Sequence, residues 1–89
     1  MLAHIVVSGR VQGVGFRYSA QQQARSHRLA GWVQNKTDGT VELEAEGDAE
    51  QVRSFIQILK KGFSPFIHVE NVDVNFDQNN KGYTDFSIK

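Results

Sequence analysis

Two glycines and one arginine fall within a segment of six residues, 12–17, whose composition suits the binding of an anion. Glycine reaches backbone conformations in which successive N–H groups point into one concavity, and it keeps side chains out of that concavity. A helix beginning here would add unpaired N–H groups and the positive end of its dipole. The planar guanidinium of Arg17 can bind two phosphate oxygens at once. The segment therefore predicts a phosphate site formed by Gln12, Gly13, Val14, Gly15, Phe16 and Arg17.

Three other interpretations of this segment are possible, and the sequence excludes two of them, which are other glycine-rich nucleotide-binding motifs. A dinucleotide-binding fingerprint would need a third glycine where Tyr18 stands, within a parallel βαβ unit. A P-loop would need Gly-Lys followed by Ser or Thr, which the segment lacks. The third interpretation is a plain turn with Arg17 as a solvated charge. A Gly-x-Gly-x-Arg pattern favours that structural interpretation when it is considered alone, so the surrounding sequence must decide.

Hydrophobic periodicity predicts the elements that would position this segment. An apolar, β-branched run indicates a first strand, and a helix with small residues on its inner face follows the glycines. Asp48, with Gln51 three residues later, predicts a capping box at the start of a second, amphipathic helix, and Gly62 predicts its end. The expected strands cover residues 2–7, 31–36, 41–46, 71–76 and 84–88, and the expected helices lie at 16–27 and between Asp48 and Gly62.

The order of these elements predicts the fold class. Asp-Gly at 38–39 is a strong hairpin signal between the second and third strands. The third strand alternates apolar residues with Glu42, Glu44 and Glu46, so we expect these carboxylates on a solvent face. The order β-α-β-β-α-β with a short terminal strand is typical of an α+β, ferredoxin-like sandwich. We expect a mostly antiparallel sheet with both helices on one face.

Composition limits the class of protein further. The 89 residues fit a single domain, 1–89, and ten basic against ten acidic side chains argue against nucleic acid as a partner. There is no cysteine, and His4, His27 and His68 lack a spacing that would gather them as metal ligands. No apolar run approaches the roughly 20 residues that span a membrane, and residues 1–8 resemble a strand more than a signal peptide. We therefore expect a cytoplasmic monomer without a metal site.

Two blocks of residues, 9–17 and 31–39, decide the context of the phosphate segment. The first reads Gly-Arg-Val-Gln-Gly-Val-Gly-Phe-Arg and the second Gly-Trp-Val-Gln-Asn-Lys-Thr-Asp-Gly, with one expected helix between them. Together they closely resemble the acylphosphatase family, whose pattern is Gly-x-Val-Gln-Gly-Val-Gly-Phe-Arg and then Gly-x-Val-x-Asn-x-x-Asp-Gly. The resemblance covers nearly the whole chain and implies the ferredoxin-like fold. It also implies hydrolysis of acyl phosphates to a carboxylate and inorganic phosphate, without a metal or other cofactor.

The resemblance also implies roles for individual side chains. Arg17 matches the arginine that holds the phosphate, and Asn35 matches the asparagine that positions the attacking water. The physical chemistry agrees, because N–H groups and a guanidinium suit the charge that spreads over phosphoryl oxygens in the transition state. Asn35 is neutral, so it can orient a water but cannot act as a base. Gln12 and Phe16 also match, and we expect hydrogen bonds of the loop from Gln12 and core packing from Phe16.

The chain departs from the family pattern outside the predicted site. Arg28 stands at the end of the first helix, where the family usually has glycine, and a left-handed backbone there would be strained. The loop at 62–66 reads Gly-Phe-Ser-Pro-Phe where the family often has Gly-Pro-Pro. The motifs specify no pocket for the acyl group, so we expect broad tolerance of that part of the substrate.

Two functions without catalysis compete with hydrolysis. The first is a binding module that captures phosphate or an acyl phosphate without turnover, or that reads RNA. An RNA-binding sheet would expose aromatic side chains where residues 41–46 carry glutamates. The second is a non-catalytic interaction domain, of the kind in which an acylphosphatase-like unit is fused into a larger protein. Release of phosphate from an acyl phosphate separates hydrolysis from both alternatives.

Overall fold

Seven elements follow one another in the computed structural model, which describes residues 1–89. The sheet has five strands in the order β4-β1-β3-β2-β5, and only the β2–β5 pair is parallel. The predicted ferredoxin-like α+β fold, with its mostly antiparallel sheet, is therefore confirmed. Neither helix has the length and hydrophobicity needed to cross a membrane. The elements are β1 (Leu2–Arg10), α1 (Phe16–Ser26), β2 (Ala30–Asn35), β3 (Val41–Glu46), α2 (Ala49–Lys61), β4 (His68–Asp77) and β5 (Phe86–Ile88).

Both helices cover one face of the sheet, because alternate residues of the central strands are apolar on that face. β1 contributes Ala3, Ile5 and Val7 to a single core of eighteen buried residues. On α1 the small side chains of Ala20 and Ala24 are fully buried, which lets this helix lie close to the strands. The apolar stripe of α2 packs into the same core. This packing fixes where α1 begins and therefore where the loop before it lies.

The opposite face of β3 is covered, so the prediction that its glutamates lie on the solvent face is wrong for Glu44 and Glu46. Each is only 5% exposed. Glu44 accepts hydrogen bonds from the Lys81 ammonium at 2.9 Å and from the Tyr83 hydroxyl at 2.6 Å. Glu46 accepts hydrogen bonds from the backbone N–H groups of the same two residues. The segment that joins β4 to β5 therefore crosses this face, which the alternation of the strand could not reveal.

Hydrogen bonds favour the charged form of Glu42 and Glu44 on this face of the sheet. Burial raises the pKa of the Glu44 carboxyl, but the hydrogen bonds from the covering segment lower it more, so that the pKa lies below its usual value. A hydrogen bond from His4 at 2.6 Å, with a second from Gln34, holds the pKa of Glu42 below its usual value. These partners explain how a row of carboxylates lies against the sheet without an unpaired buried charge.

The ends of the helices and strands show where local sequence signals correctly predicted the backbone and where they did not. α2 ends at Gly62, as predicted, and this residue has φ 76°. Asp48 is the N-cap of α2, but its side chain makes no capping hydrogen bond, so the predicted capping box with Gln51 is wrong. β1 runs on to Arg10 and β4 begins already at His68, because the two strands pair with each other over this additional length.

Arg28 is the only residue other than glycine with a positive φ, 57°. It follows His27, the C-cap of α1, and its N–H donates to the carbonyl oxygen of Arg25 at 3.0 Å. In a left-handed backbone, the Cβ atom of any residue other than glycine lies too close to the following carbonyl oxygen. The strain that the missing glycine implied is therefore present in the fold.

Replacing Arg28 with glycine should raise the free energy of unfolding by about 1 kcal/mol, because glycine is unstrained in this conformation. Urea denaturation at neutral pH measures the change. An Arg28→Ala variant is the matched control, since it removes the same side chain but keeps the Cβ atom, and its stability should stay close to that of the wild type. A lower stability of the glycine variant would contradict this prediction.

Candidate active site

The loop at 11–15 leaves an open concavity at the start of α1. Gly13 and Gly15 both have left-handed backbones, with φ 73° and 79°. A Cβ atom at either position would meet no other atom within 4 Å, so the space in front of them is open. No side chain caps α1 and no acidic residue lies in its first turn. Its first N–H groups have no intrahelical partner, and together with the positive helix end they are available to an anion.

Gln12 connects this loop to the β2–β3 hairpin. Its side-chain nitrogen donates to the carbonyl oxygens of Lys36 and Thr40, each at 2.8 Å. The turn between these two residues is shaped by Asp38, whose carboxylate accepts hydrogen bonds from the hydroxyl and the N–H of Thr40. The same two bonds hold the pKa of Asp38 below its usual value. The hydrogen bonds of Gln12 therefore keep the end of β2 beside the loop.

A pocket of about 210 Å³ opens where the loop, the first turn of α1 and the ends of β2 and β5 meet. Arg17 supplies the only charged side chain in its lining. Asn35, the last residue of β2, is exposed and faces the same pocket. The lining consists of Val11, Gly13, Gly15, Phe16, Arg17, Tyr18, Asn35 and Ile88.

Most of the residues predicted for the site line this pocket, and two do not. Gln12 contacts the hairpin instead, and Val14 packs against the hydrophobic core. Phe16 serves both the pocket and the core. Its side chain is 2% exposed, and its ring packs tilted against Phe63 at a centroid distance of 5.1 Å. This packing fixes the first residue of α1, and with it the direction of the helix N–H groups.

Arg17 is half-buried and is held in place by the residue that follows β5. Its guanidinium donates to the carbonyl oxygen of Lys89 at 3.1 Å, which leaves its other N–H groups for a ligand. Lys89 is itself held twice, because its N–H donates to the carbonyl oxygen of Val33 at 2.8 Å and its ammonium lies 4.4 Å from the ring centroid of Trp32. Trp32 is 9% exposed, so its ring packs against its neighbours.

Three apolar residues of the pocket lining were not predicted for the site. Tyr18 carried a signal, because it directly follows Arg17 in the first turn of α1. Val11 lies in the loop that the glycines identified. No sequence signal identified Ile88. It reaches the pocket only because β5 pairs in parallel with β2, which places Ile88 opposite Val33.

Comparison with known proteins places these features in one family. Residues 3–88 match the family model for acylphosphatases. An acylphosphatase from Bacillus velezensis is 48% identical over 85 residues, which are 96% of this chain and 93% of that protein. The crystal structure of acylphosphatase from Bacillus subtilis has a TM-score of 0.94 and 47% identity, and covers 100% of this chain and 99% of its own. An acylphosphatase from Coxiella burnetii has a TM-score of 0.91 and 36% identity, over 99% of this chain and 90% of its own.

Replacing Gln12 with leucine removes both hydrogen bonds to the hairpin while it keeps the size of the side chain. The loop then loses its support, and we expect the affinity for inorganic phosphate to fall about tenfold or more, since small displacements of preorganised groups are costly. Titration of the backbone amide resonances of Gly13 and Gly15 with phosphate measures this affinity. Gln22→Leu, at an exposed position of α1, is the matched control. Equal phosphate affinity in both variants would contradict the role given to Gln12.

Proposed function

The chain belongs to the acylphosphatase family and is an enzyme of that class, and on this premise we propose how its pocket hydrolyses an acyl phosphate. The loop and Arg17 hold the phosphate group, and Asn35 orients the attacking water. One observation carries the proposal: Arg17 and Asn35, which come from separate blocks of the sequence, line a single pocket together with both glycines of the loop. A phosphate site alone would not need the asparagine.

The phosphate-holding role rests on charge and on open N–H groups. Arg17 is the only charged residue in the lining, so a phosphate dianion meets one positive side chain and no competing carboxylate. Its bond to the Lys89 carbonyl fixes the guanidinium before substrate arrives. The amides around Gly13 and Gly15 add donors that need no reorganisation when charge develops on the phosphoryl oxygens.

The water-orienting role rests on the chemistry and position of Asn35. Its side chain is exposed at the end of β2, and it offers both a donor and an acceptor to a water molecule. The hydrogen bonds from Gln12 to the hairpin keep it beside the loop that holds the phosphorus atom. A fixed water near the phosphorus atom converts part of the entropic cost of attack into binding.

The proposed reaction is balanced without an external acid or base. The water oxygen bonds to phosphorus while the bond from phosphorus to the acyl oxygen breaks, and the carboxylate leaves with that electron pair. A carboxylate is a stable anion, so it needs no proton from the enzyme. No carboxylate or imidazole lines the pocket, and we therefore assign the proton of the attacking water to an oxygen of the substrate's own phosphate group.

The competing functions find less support in the same geometry. A binding module that only captures phosphate would use the loop and Arg17, but it would have no use for Asn35 in the pocket. An RNA reader would stack bases on exposed aromatic rings of the central strands. Trp32 on β2 is instead 9% exposed, its indole N–H donates to the Tyr83 hydroxyl at 3.0 Å, and the exposed ring of Phe76 lies on the edge strand β4. The balanced charge and the absence of cysteine support the accompanying proposal of a cytoplasmic monomer that needs no metal.

Replacing Arg17 with alanine should lower kcat/KM for an acyl phosphate by at least about 100- to 1,000-fold, because a transition-state donor is lost. Release of phosphate from acetyl phosphate in the presence of a chelator is the assay, and the activity of the wild type should survive the chelator. Arg53→Ala, which removes an exposed arginine of α2, is the matched control and should leave turnover unchanged. Near-normal activity of the Arg17 variant would refute the assignment, and loss of wild-type activity to the chelator would refute metal independence.

Replacing Asn35 with aspartate should slow turnover at least about tenfold. The aspartate has the same size as asparagine, but it places a negative charge beside an anionic phosphate and removes the N–H donor to the water. The measurement is kcat/KM from neutral to mildly alkaline pH, where the aspartate is ionised. Asn71→Asp on the exposed edge strand β4 introduces the same charge away from the pocket and serves as the control. Faster turnover by Asn35→Asp would show that a base is useful at this position and would overturn the water-orienting role.

A further inference from the structure

Two of the four large apolar side chains that the protein exposes lie at the candidate active site. Tyr18 is 64% exposed and Ile88 is 40% exposed, and both line the pocket that contains Arg17 and Asn35. The other two, Phe66 and Phe76, lie outside that lining. Exposed apolar side chains that gather at a pocket are more informative than scattered ones, because they leave an apolar surface for a ligand to cover.

The fold explains why neither side chain is buried in the core. The face of α1 that packs on the sheet carries Phe16, Ala20 and Ala24, and Tyr18 lies off that face in the first turn. On β5, Phe86 is fully buried, and Ile88 projects to the same face two residues later. Ile88 therefore continues the inner face of the sheet up to the pocket, where the core no longer covers it.

The pocket thus has two chemically different parts. One part consists of the loop glycines, Arg17 and Asn35, which suit the phosphate and the water. The other consists of Val11, Tyr18 and Ile88, which offer no charge to a ligand. An acyl phosphate has the same two parts, a dianionic phosphate and an acyl group joined by one oxygen. When the phosphate occupies the polar part, the acyl group has the apolar part beside it.

We propose that Tyr18 and Ile88 form the acyl-group subsite, and that the enzyme prefers acyl phosphates with an extended apolar acyl chain to acetyl phosphate. The inference rests on the proposed placement of the phosphate at the loop and Arg17. It replaces the broad tolerance expected from the motifs with a defined preference. The acyl chain of the substrate contacts Tyr18 and Ile88 equally in the ground state and in the transition state. The preference therefore lies in KM and not in kcat.

Hydrolysis of a series of unbranched acyl phosphates (acetyl, butanoyl and hexanoyl) tests the proposal, because the acidity of the leaving carboxylic acid barely changes along the series. Each methylene group that becomes buried can contribute up to about fourfold in affinity. The pocket is open, so we expect kcat/KM of the wild type to rise about tenfold from acetyl to hexanoyl phosphate, through a lower KM. This measurement needs no variant and therefore no assumption about folding.

Variants assign the preference to the two side chains. In Tyr18→Ser and in Ile88→Ser the rise along the series should shrink to about threefold or less, because the loss in kcat/KM is larger for hexanoyl phosphate than for acetyl phosphate. Tyr18→Phe keeps the ring and should restore the full rise. Phe66→Ser removes an exposed ring that is 74% accessible and lies outside the pocket lining, and it should leave the whole series unchanged.

The possible outcomes separate this inference from the proposed function. A wild type that is active but shows no rise with chain length overturns the acyl subsite alone, as does a rise that survives unchanged in both serine variants. An equal loss for acetyl and hexanoyl phosphate in the serine variants also overturns it, because the side chains would then act on the phosphate or on the fold. Full activity of Arg17→Ala on all three substrates would instead refute the proposed function.

Discussion

The two hydrogen bonds from the Gln12 side chain to the β2–β3 hairpin are the interaction on which the site depends. The loop before α1 has left-handed glycines and open N–H groups, a geometry that requires few contacts within the loop itself. Its position relative to Asn35 must therefore be set from outside. A single amide group does this by donating to the carbonyl oxygens of Lys36 and Thr40 on either side of the turn. These hydrogen bonds therefore fix the distance between the loop before α1 and Asn35 at the end of β2.

The last strand completes the pocket from the other side. β5 pairs in parallel with β2, and the carbonyl oxygen of Lys89 receives the guanidinium of Arg17. Lys89 also lies over Trp32, whose indole N–H donates to the Tyr83 hydroxyl on the far face of the sheet. Tyr83 in turn donates to the buried carboxylate of Glu44. A polar network opposite the helices therefore supports Lys89, the residue that holds the guanidinium of Arg17.

Local patterns predicted the parts of this protein that neighbours along the chain decide. The turn at 38–39 and the end of α2 at Gly62 depend on the conformations that one or two residues can adopt, and so does the strain at Arg28, which the resemblance to the family indicated. The prediction that Glu44 lies on a solvent face was wrong because an acidic side chain on a strand can have several partners. The choice among them depends on residues far away in the sequence, here Lys81 and Tyr83.

The sequence by itself determined the order of the elements and the family, because periodicity and motif spacing are properties of the chain, and its motifs led to the proposal of a phosphate site at residues 12–17. Only the tertiary structure decided that Asn35, Ile88 and Lys89 meet at the start of α1. Their meeting depends on the hairpin that returns β2 beside the loop and on the parallel register of β5, and both are long-range pairings that no local pattern encodes. For the same reason the proposed acyl subsite, which combines Tyr18 and Ile88 from distant parts of the chain, could be inferred only from the folded protein.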